Sequence, residues 1–125
     1  MFKLFLVGLG GFLGSILRYV TSGFILRILE KPYFPYGTLV VNILGCFLIG
    51  FLSGLSESKQ LFNPETRTFI FIGFLGGFTT FSTFGYEVFN FARDGQLLSS
   101  LSNLVLHMVL GIGGVWFGYS MSKLI

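Results

Sequence analysis

The run Gly73-Phe74-Leu75-Gly76-Gly77-Phe78-Thr79-Thr80-Phe81-Ser82-Thr83-Phe84 sits in the middle of an apolar segment long enough to cross a bilayer. Two adjacent glycines and four hydroxyl residues do not suit an unbroken membrane helix. They predict a helix interrupted at mid-membrane, with backbone groups released from the hydrogen-bond ladder. Backbone of that kind survives at membrane depth only when it is buried in protein or lines a polar cavity. Broken helices at mid-depth recur where ions bind. The run therefore points to a chain that handles an ion.

The rest of the sequence supports a membrane setting. Only 10% of its residues are charged and 53% are hydrophobic, against about 25% charged in an average soluble domain. The net charge of +3 is spread along the chain with no basic run, which argues against a nucleic-acid partner. Cys46 is the single cysteine, so an intramolecular disulfide is excluded and a packed or lipid-facing thiol is expected. Met1-Phe2-Lys3 and the apolar run behind it resemble the start of a signal peptide. No small-residue cleavage site followed by a soluble domain appears, and a retained helix is expected.

A span needs roughly 20 mainly apolar residues. Four segments qualify, at about residues 2–29, 37–55, 66–91 and 99–124. They make residues 1–125 one all-α integral membrane domain of four transmembrane helices, the third of them broken. Pro32 and Pro35 end the first helix, a polar stretch from Ser56 to Glu65 follows the second, and Arg93-Asp94-Gly95-Gln96 turns the chain before the fourth. With four spans both termini lie on one side, together with Lys3, Lys59, Arg67 and Lys123. Arg27, Lys31 and Arg93 lie on the other, with Arg18 nearest to it. Orientation normally follows an excess of Lys and Arg on the cytoplasmic side. The balance here permits insertion both ways and hence an antiparallel homodimer, unless a subtler signal such as the N-terminal amine decides. Four helices also leave little room for a pore, which again favours a dimer. The pairs Gly10/Gly14, Gly50/Gly54, Gly73/Gly77 and Gly114/Gly118 place small residues four apart in every span, a pattern of close helix packing.

Several polar residues stand inside the spans. Arg18 costs about 2.5–3.5 kcal/mol at mid-depth on insertion scales. It either snorkels to the interface or stands at the mouth of an anion pathway. Asn42 and Thr38 share one face of the second helix, suited to an interhelical hydrogen bond or to donating to an anion. Ser100, Asn103 and His107 share a face of the fourth, where His107 is expected to pack as a neutral ring. Glu87 is expected at the membrane interface as a solvated carboxylate. The break itself offers released carbonyls to a cation or a half-helix N-terminus to an anion. Phe81 and Phe84 follow it on one face, and their ring edges carry partial positive charge. No catalytic triad, metal-ligand cluster or phosphate-binding loop is evident, so no enzyme is expected.

These residues resemble the Fluc (CrcB-type) fluoride channels over essentially the whole chain. Gly10-Gly11, Gly14 and Arg18-Tyr19 resemble the family's first-helix signature, Gly37-Thr38-Leu39-Val40-Val41-Asn42 the second, and Gly73 through Phe84 the third and most specific. The resemblance implies a dual-topology homodimer in the cell inner (plasma) membrane, in contact with lipid, that passively exports fluoride and relieves its toxicity. It implies a structural sodium ion held by the carbonyls of Gly76 and Thr79. It implies an anion pathway along Asn42, Phe81 and Phe84, with Thr38, Ser82 and Thr83 as supporting donors and Arg18 in the vestibule. In the fourth helix Gly111 and Val115 follow His107 where the family often has hydroxyls, so which side chains there guide the ion stays open. Two other readings fit the length: a small dual-topology drug or cation exporter, and a non-transporting subunit of a membrane complex.

Overall fold

The computed structural model describes residues 1–30 and 32–125. Lys31, counted above among the charges of the first loop, lies outside the described residues. Four helical stretches are long and apolar enough to cross a membrane: Phe2–Ile28, Tyr36–Lys59, Pro64–Arg93 and Leu97–Ser122. At 1.5 Å per residue each exceeds the roughly 30 Å hydrocarbon core. The first, second and fourth are single helices, α1 (Phe2–Ile28), α2 (Tyr36–Lys59) and α6 (Leu97–Ser122). The third is composite. It begins as α3 (Pro64–Arg67), widens to a π-helical segment over Thr68–Phe74, returns to α-helix in α4 (Leu75–Phe78), and resumes after the break as α5 (Phe81–Arg93). No strand occurs among the described residues.

Local chemistry sets the ends. The side chain of Asn63 accepts a 2.8 Å hydrogen bond from the Thr66 amide, and Pro64 occupies the first helical position. There its missing N–H costs nothing, because no intrahelical acceptor is due to it. α2 runs on to Lys59 before Gln60 closes it in a left-handed conformation (φ 50°, ψ 35°). That is four residues beyond the apolar stretch ending at Leu55, because Ser56-Glu57-Ser58-Lys59 contains nothing that stops a helix. Much of the expected polar connection is thus helical. The π-helical segment carries one extra residue per turn immediately before the glycine pair, a placement typical of functional irregularities.

Packing follows the glycines, and the spans pair first with third and second with fourth. A Cβ built on Gly10 would lie 2.6 Å from the Phe69 carbonyl oxygen, on Gly77 2.6 Å from that of Gly11, and on Gly73 2.9 Å from that of Val7. α1 therefore meets the third span backbone to backbone. On the other side of the molecule Gly50 faces the Val115 carbonyl, Gly118 that of Phe47, and Gly54 the side chain of Ser122. Gly14 and Gly114 lie at the same two seams, against Phe74 and against Ile43 and Phe47. Every small-residue pair read from the sequence thus stands at a helix contact. The buried apolar side chains, Leu39, Val41, Leu75, Phe78 and Phe84, all come from α2 and the broken span. Large apolar residues such as Phe12, Phe24, Ile112 and Trp116 face outward, as befits a multi-pass protein solvated by lipid.

The two kinds of glycine predict opposite responses. Gly77→Ala forces a methyl group into the Gly11 backbone and should destabilise the fold by about 1–3 kcal/mol. Gly113, with nothing within 4 Å of its virtual Cβ, should accept alanine within about 0.5 kcal/mol. Thermal unfolding of both variants in detergent, followed by helical circular dichroism, checks the contrast.

Candidate functional site

The break occupies two residues. Thr79 (φ −88°, ψ 158°) and Thr80 (φ −148°, ψ 111°) are both extended. An extended pair inside a helix strands backbone donors and acceptors that lipid cannot satisfy. The chain finds partners for them. The Thr80 N–H, which would otherwise continue the ladder to Gly76, donates to Asn42 Oδ1 at 2.8 Å. Asn42 Nδ2 in turn donates to the Thr80 carbonyl at 3.0 Å. One amide of α2 therefore brackets both polar groups of one residue in the break. The Thr79 carbonyl receives Arg18 Nη1 at 3.4 Å, and the Thr79 hydroxyl donates back to the Leu75 carbonyl at 3.0 Å. The side chain of Thr80 then caps α5 by accepting from the Thr83 amide at 3.3 Å.

A polar cluster extends from this bracket into α6. Asn42 Nδ2 also lies 3.2 Å from His107 Nε2, and His107 Nδ1 lies 3.0 Å from the Asn103 carbonyl oxygen. The imidazole packs on Phe84, with ring centroids 4.1 Å apart, and Phe84 meets Phe81 edge-on at 5.5 Å. One turn before Asn42, Thr38 donates its hydroxyl to Glu87 Oε1. Glu87 Oε2 and both amide atoms of Asn103 are buried without a hydrogen-bond partner. Ser100, Asn103 and His107, which share one face of α6, are all buried.

Two cavities flank the break. One, of about 340 Å³, is lined by Gly76, Thr79, Asn42, Phe81, Phe84 and His107 among others. The second, of about 670 Å³, includes Ser15, Arg18, Tyr19, Ser22, Thr38 and Thr83 in its wall. Thr80 borders both. The residues singled out from the sequence therefore divide. Asn42, Phe81, Phe84, Gly76 and Thr79 gather on one side of the break, and Arg18, Thr38 and Thr83 on the other. Ser82 stands outside both cavities, exposed, with its hydroxyl 3.4 Å from that of Thr80. Phe84 is 4% exposed and Phe81 78%, so the two rings of one helix face meet very different surroundings within this chain.

Three residues acquire roles that the sequence reading did not give them. Glu87 is half-buried and bound to Thr38, not a solvated carboxylate at the helix end. Neither its place midway along α5 nor the shelter provided by α2 was legible. Thr80, read only as one of four hydroxyls, is the residue through which the break is held. Asn103 is fully buried. The signal available for Glu87 and Phe84 was their three-residue spacing, which carries the carboxylate along the face of the buried ring.

Fold and site together define a multi-pass membrane protein whose broken third span holds backbone and side-chain polar groups between two cavities. The chain belongs to the CrcB-like family: the family model described as "CrcB-like protein, Camphor Resistance (CrcB)" matches residues 5–119. Curated relatives agree over nearly the full length. A protein of Chlorobium phaeobacteroides named fluoride-specific ion channel FluC is 46% identical, covering 97% of this chain and 93% of its own. One of Methylobacillus flagellatus with the same name is 39% identical, over 99% and 97%. A third, from Elusimicrobium minutum, also so named, is 42% identical over 98% and 95%. Membership of this family agrees with the expectation of a non-enzymatic protein.

The bracket yields a direct test. Asn42→Leu keeps the volume and removes both hydrogen bonds to Thr80, leaving a buried N–H and C=O unpaired at about 1–3 kcal/mol each. Amide hydrogen exchange of peptides covering Thr79–Phe81 should accelerate markedly while the centre of α1 stays protected.

Proposed function

We propose that this protein is a fluoride channel that passes the ion passively out of the cytoplasm. The observation that carries this reading is the similarity, at 39–46% identity over nearly the whole chain, to proteins named fluoride-specific ion channels. The site chemistry supports it. Fluoride is small and strongly hydrated, so its passage needs donors and positive ring edges in place of water, without a trap too deep to leave. Asn42, Phe81 and Phe84 offer such groups along one cavity, with Thr38, Ser82 and Thr83 as further hydroxyl donors. Arg18 supplies positive charge at the neighbouring cavity.

The working unit in this reading is an antiparallel homodimer, supported by the balanced Lys and Arg count and by the exposed ring of Phe81, which a second copy would cover. A structural sodium ion belongs to the same proposal. The donor set fits a hard monovalent cation: Gly76 and Thr79 line one cavity, and the Gly76 carbonyl loses its ladder donor when the Thr80 N–H turns to Asn42. Both carbonyls would hold the ion, and its charge would offset their converging dipoles. Arg18 already approaches the Thr79 carbonyl, so sodium and guanidinium would share that oxygen or exchange at it.

One observation favours a second reading. Half-buried Glu87 supplies the embedded carboxylate that a proton-coupled cation exporter would use. Purified protein in liposomes separates the two. Fluoride efflux read by a fluoride electrode, driven by neither a proton gradient nor a sodium gradient, is expected. Proton-driven uptake of an organic cation without fluoride efflux would replace the channel reading.

The ring-edge mechanism has its own test. Phe81→Leu and Phe84→Leu keep apolar bulk but remove the aromatic quadrupole, and each should cut fluoride efflux at least tenfold, that is by about 1.4 kcal/mol or more. Unchanged efflux from both, in intact protein, would refute ring-edge coordination and leave the channel standing. Topology is checked separately. A C-terminal tag should be accessible from both faces of the membrane, in comparable amounts.

A further inference from the structure

The hydrogen bonds around Asn42 fix the protonation of its neighbour. The Thr80 N–H can only donate, so the amide oxygen of Asn42 faces it. The amide nitrogen then bears on the Thr80 carbonyl and on His107 Nε2. An NH₂ group only donates, so Nε2 presents its lone pair. The Asn103 carbonyl only accepts, so Nδ1 carries the proton toward it. In this neutral Nδ1–H tautomer both hydrogens of the Asn42 amide are engaged, and none is left for an anion.

We propose that His107 is a positioning residue for Asn42: its neutral ring holds the amide closed, and its protonation releases the amide to an anion that the two then share. A proton on Nε2 sets donor against donor across 3.2 Å, and the pair must part. An anion entering between them accepts from both. Protonation and anion occupancy therefore favour each other equally, since coupling between two binding events is reciprocal. The Phe84 ring packed on the imidazole suits a cation there. The nearest other titratable or charged groups on the neighbouring elements are Cys46 on α2, in the same cavity wall, and Glu87 on α5, beyond Phe84 and held by Thr38; Arg18 on α1 stands across the break at the Thr79 carbonyl. The inference rests on the reading that fluoride passes Asn42.

His107 is the only histidine of the chain, so its ring can be watched without ambiguity. The experiment pairs fluoride flux with nitrogen NMR of ¹⁵N-histidine-labelled protein. Efflux from liposomes, corrected for the leak of protein-free liposomes, should rise at least about threefold between pH 8 and pH 6, the range in which a histidine changes charge. In His107→Gln, whose amide oxygen still accepts from Asn42 but cannot ionise, efflux should be flat over that range. In NMR the ring should be the neutral Nδ1–H tautomer in chloride and should shift toward imidazolium when fluoride replaces chloride at constant pH. Equal pH dependence in both proteins would assign it to another group, Glu87 foremost, and overturn the inference while the channel reading stands. An Nε2–H tautomer, or a ring indifferent to fluoride, would overturn it equally, and this measurement decides should His107→Gln fail to fold. Absence of any fluoride efflux from the unaltered protein would overturn the channel reading and this inference with it.

Discussion

The structure turns on one side-chain amide standing in for a missing rung of helix. Where the third span goes extended at Thr79 and Thr80, the ladder loses its partners in a region where water cannot replace them. Among side chains, the carboxamides of Asn and Gln alone present an acceptor and donors with the geometry of a peptide group. Asn42 uses both against the backbone of Thr80. Much else depends on that bracket. It takes the donor due to the Gly76 carbonyl, sets Thr80 to cap α5, and so fixes where Phe81 and Phe84 begin. Through its remaining hydrogen it also faces Nε2 of His107, 3.2 Å away.

The bracket can act only because α2 is itself held rigidly. Its glycines seat it on α6 while α1 is seated on the π-helical segment and α4, so the two halves of the broken span approach α2 as part of a packed body. The charge of Arg18 is handled in the same economical way. Its guanidinium reaches the carbonyl of Thr79, so the half-buried cation and the released acceptor satisfy each other across the seam between α1 and the break.

Much of this was legible in the sequence, and the rest was not for identifiable reasons. The spans follow from hydropathy. The break follows from Gly76-Gly77 and the hydroxyl cluster, and the shared face of Ser100, Asn103 and His107 follows from helical spacing. The π-helical segment left no signal, because Thr68–Phe74 is ordinary apolar sequence. Small-residue pairs announced close contact but not which helices would meet, since each glycine reads alike. Glu87 was expected as a solvated carboxylate closing its helix, whereas it lies midway along α5 against Thr38. Lateral shelter of that kind depends on which neighbour stands alongside, which counting residues does not reveal. Asn42 was recognised as important, but its bond to Thr80 joins residues 38 positions apart, beyond the reach of any local pattern.

The pairing of first span with third and second with fourth bears on how the protein is made. Spans leave the ribosome one at a time, and most of the close glycine seams join segments separated by an intervening span. α1 and α2 can meet early where Gly37 faces Ser22, but the other close glycine contacts of α1 wait for Gly73 and Gly77, and those of α2 for α6. Asn42, too, waits in lipid without its acceptor until Thr80 is synthesised. A nascent chain halted after the second span therefore holds two helices with most of their glycine faces uncovered and a bare amide at depth. Such an intermediate invites premature association with other chains or retention by the insertion machinery. Assembly of this small protein is consequently a late event, completed only when its last helix is in place.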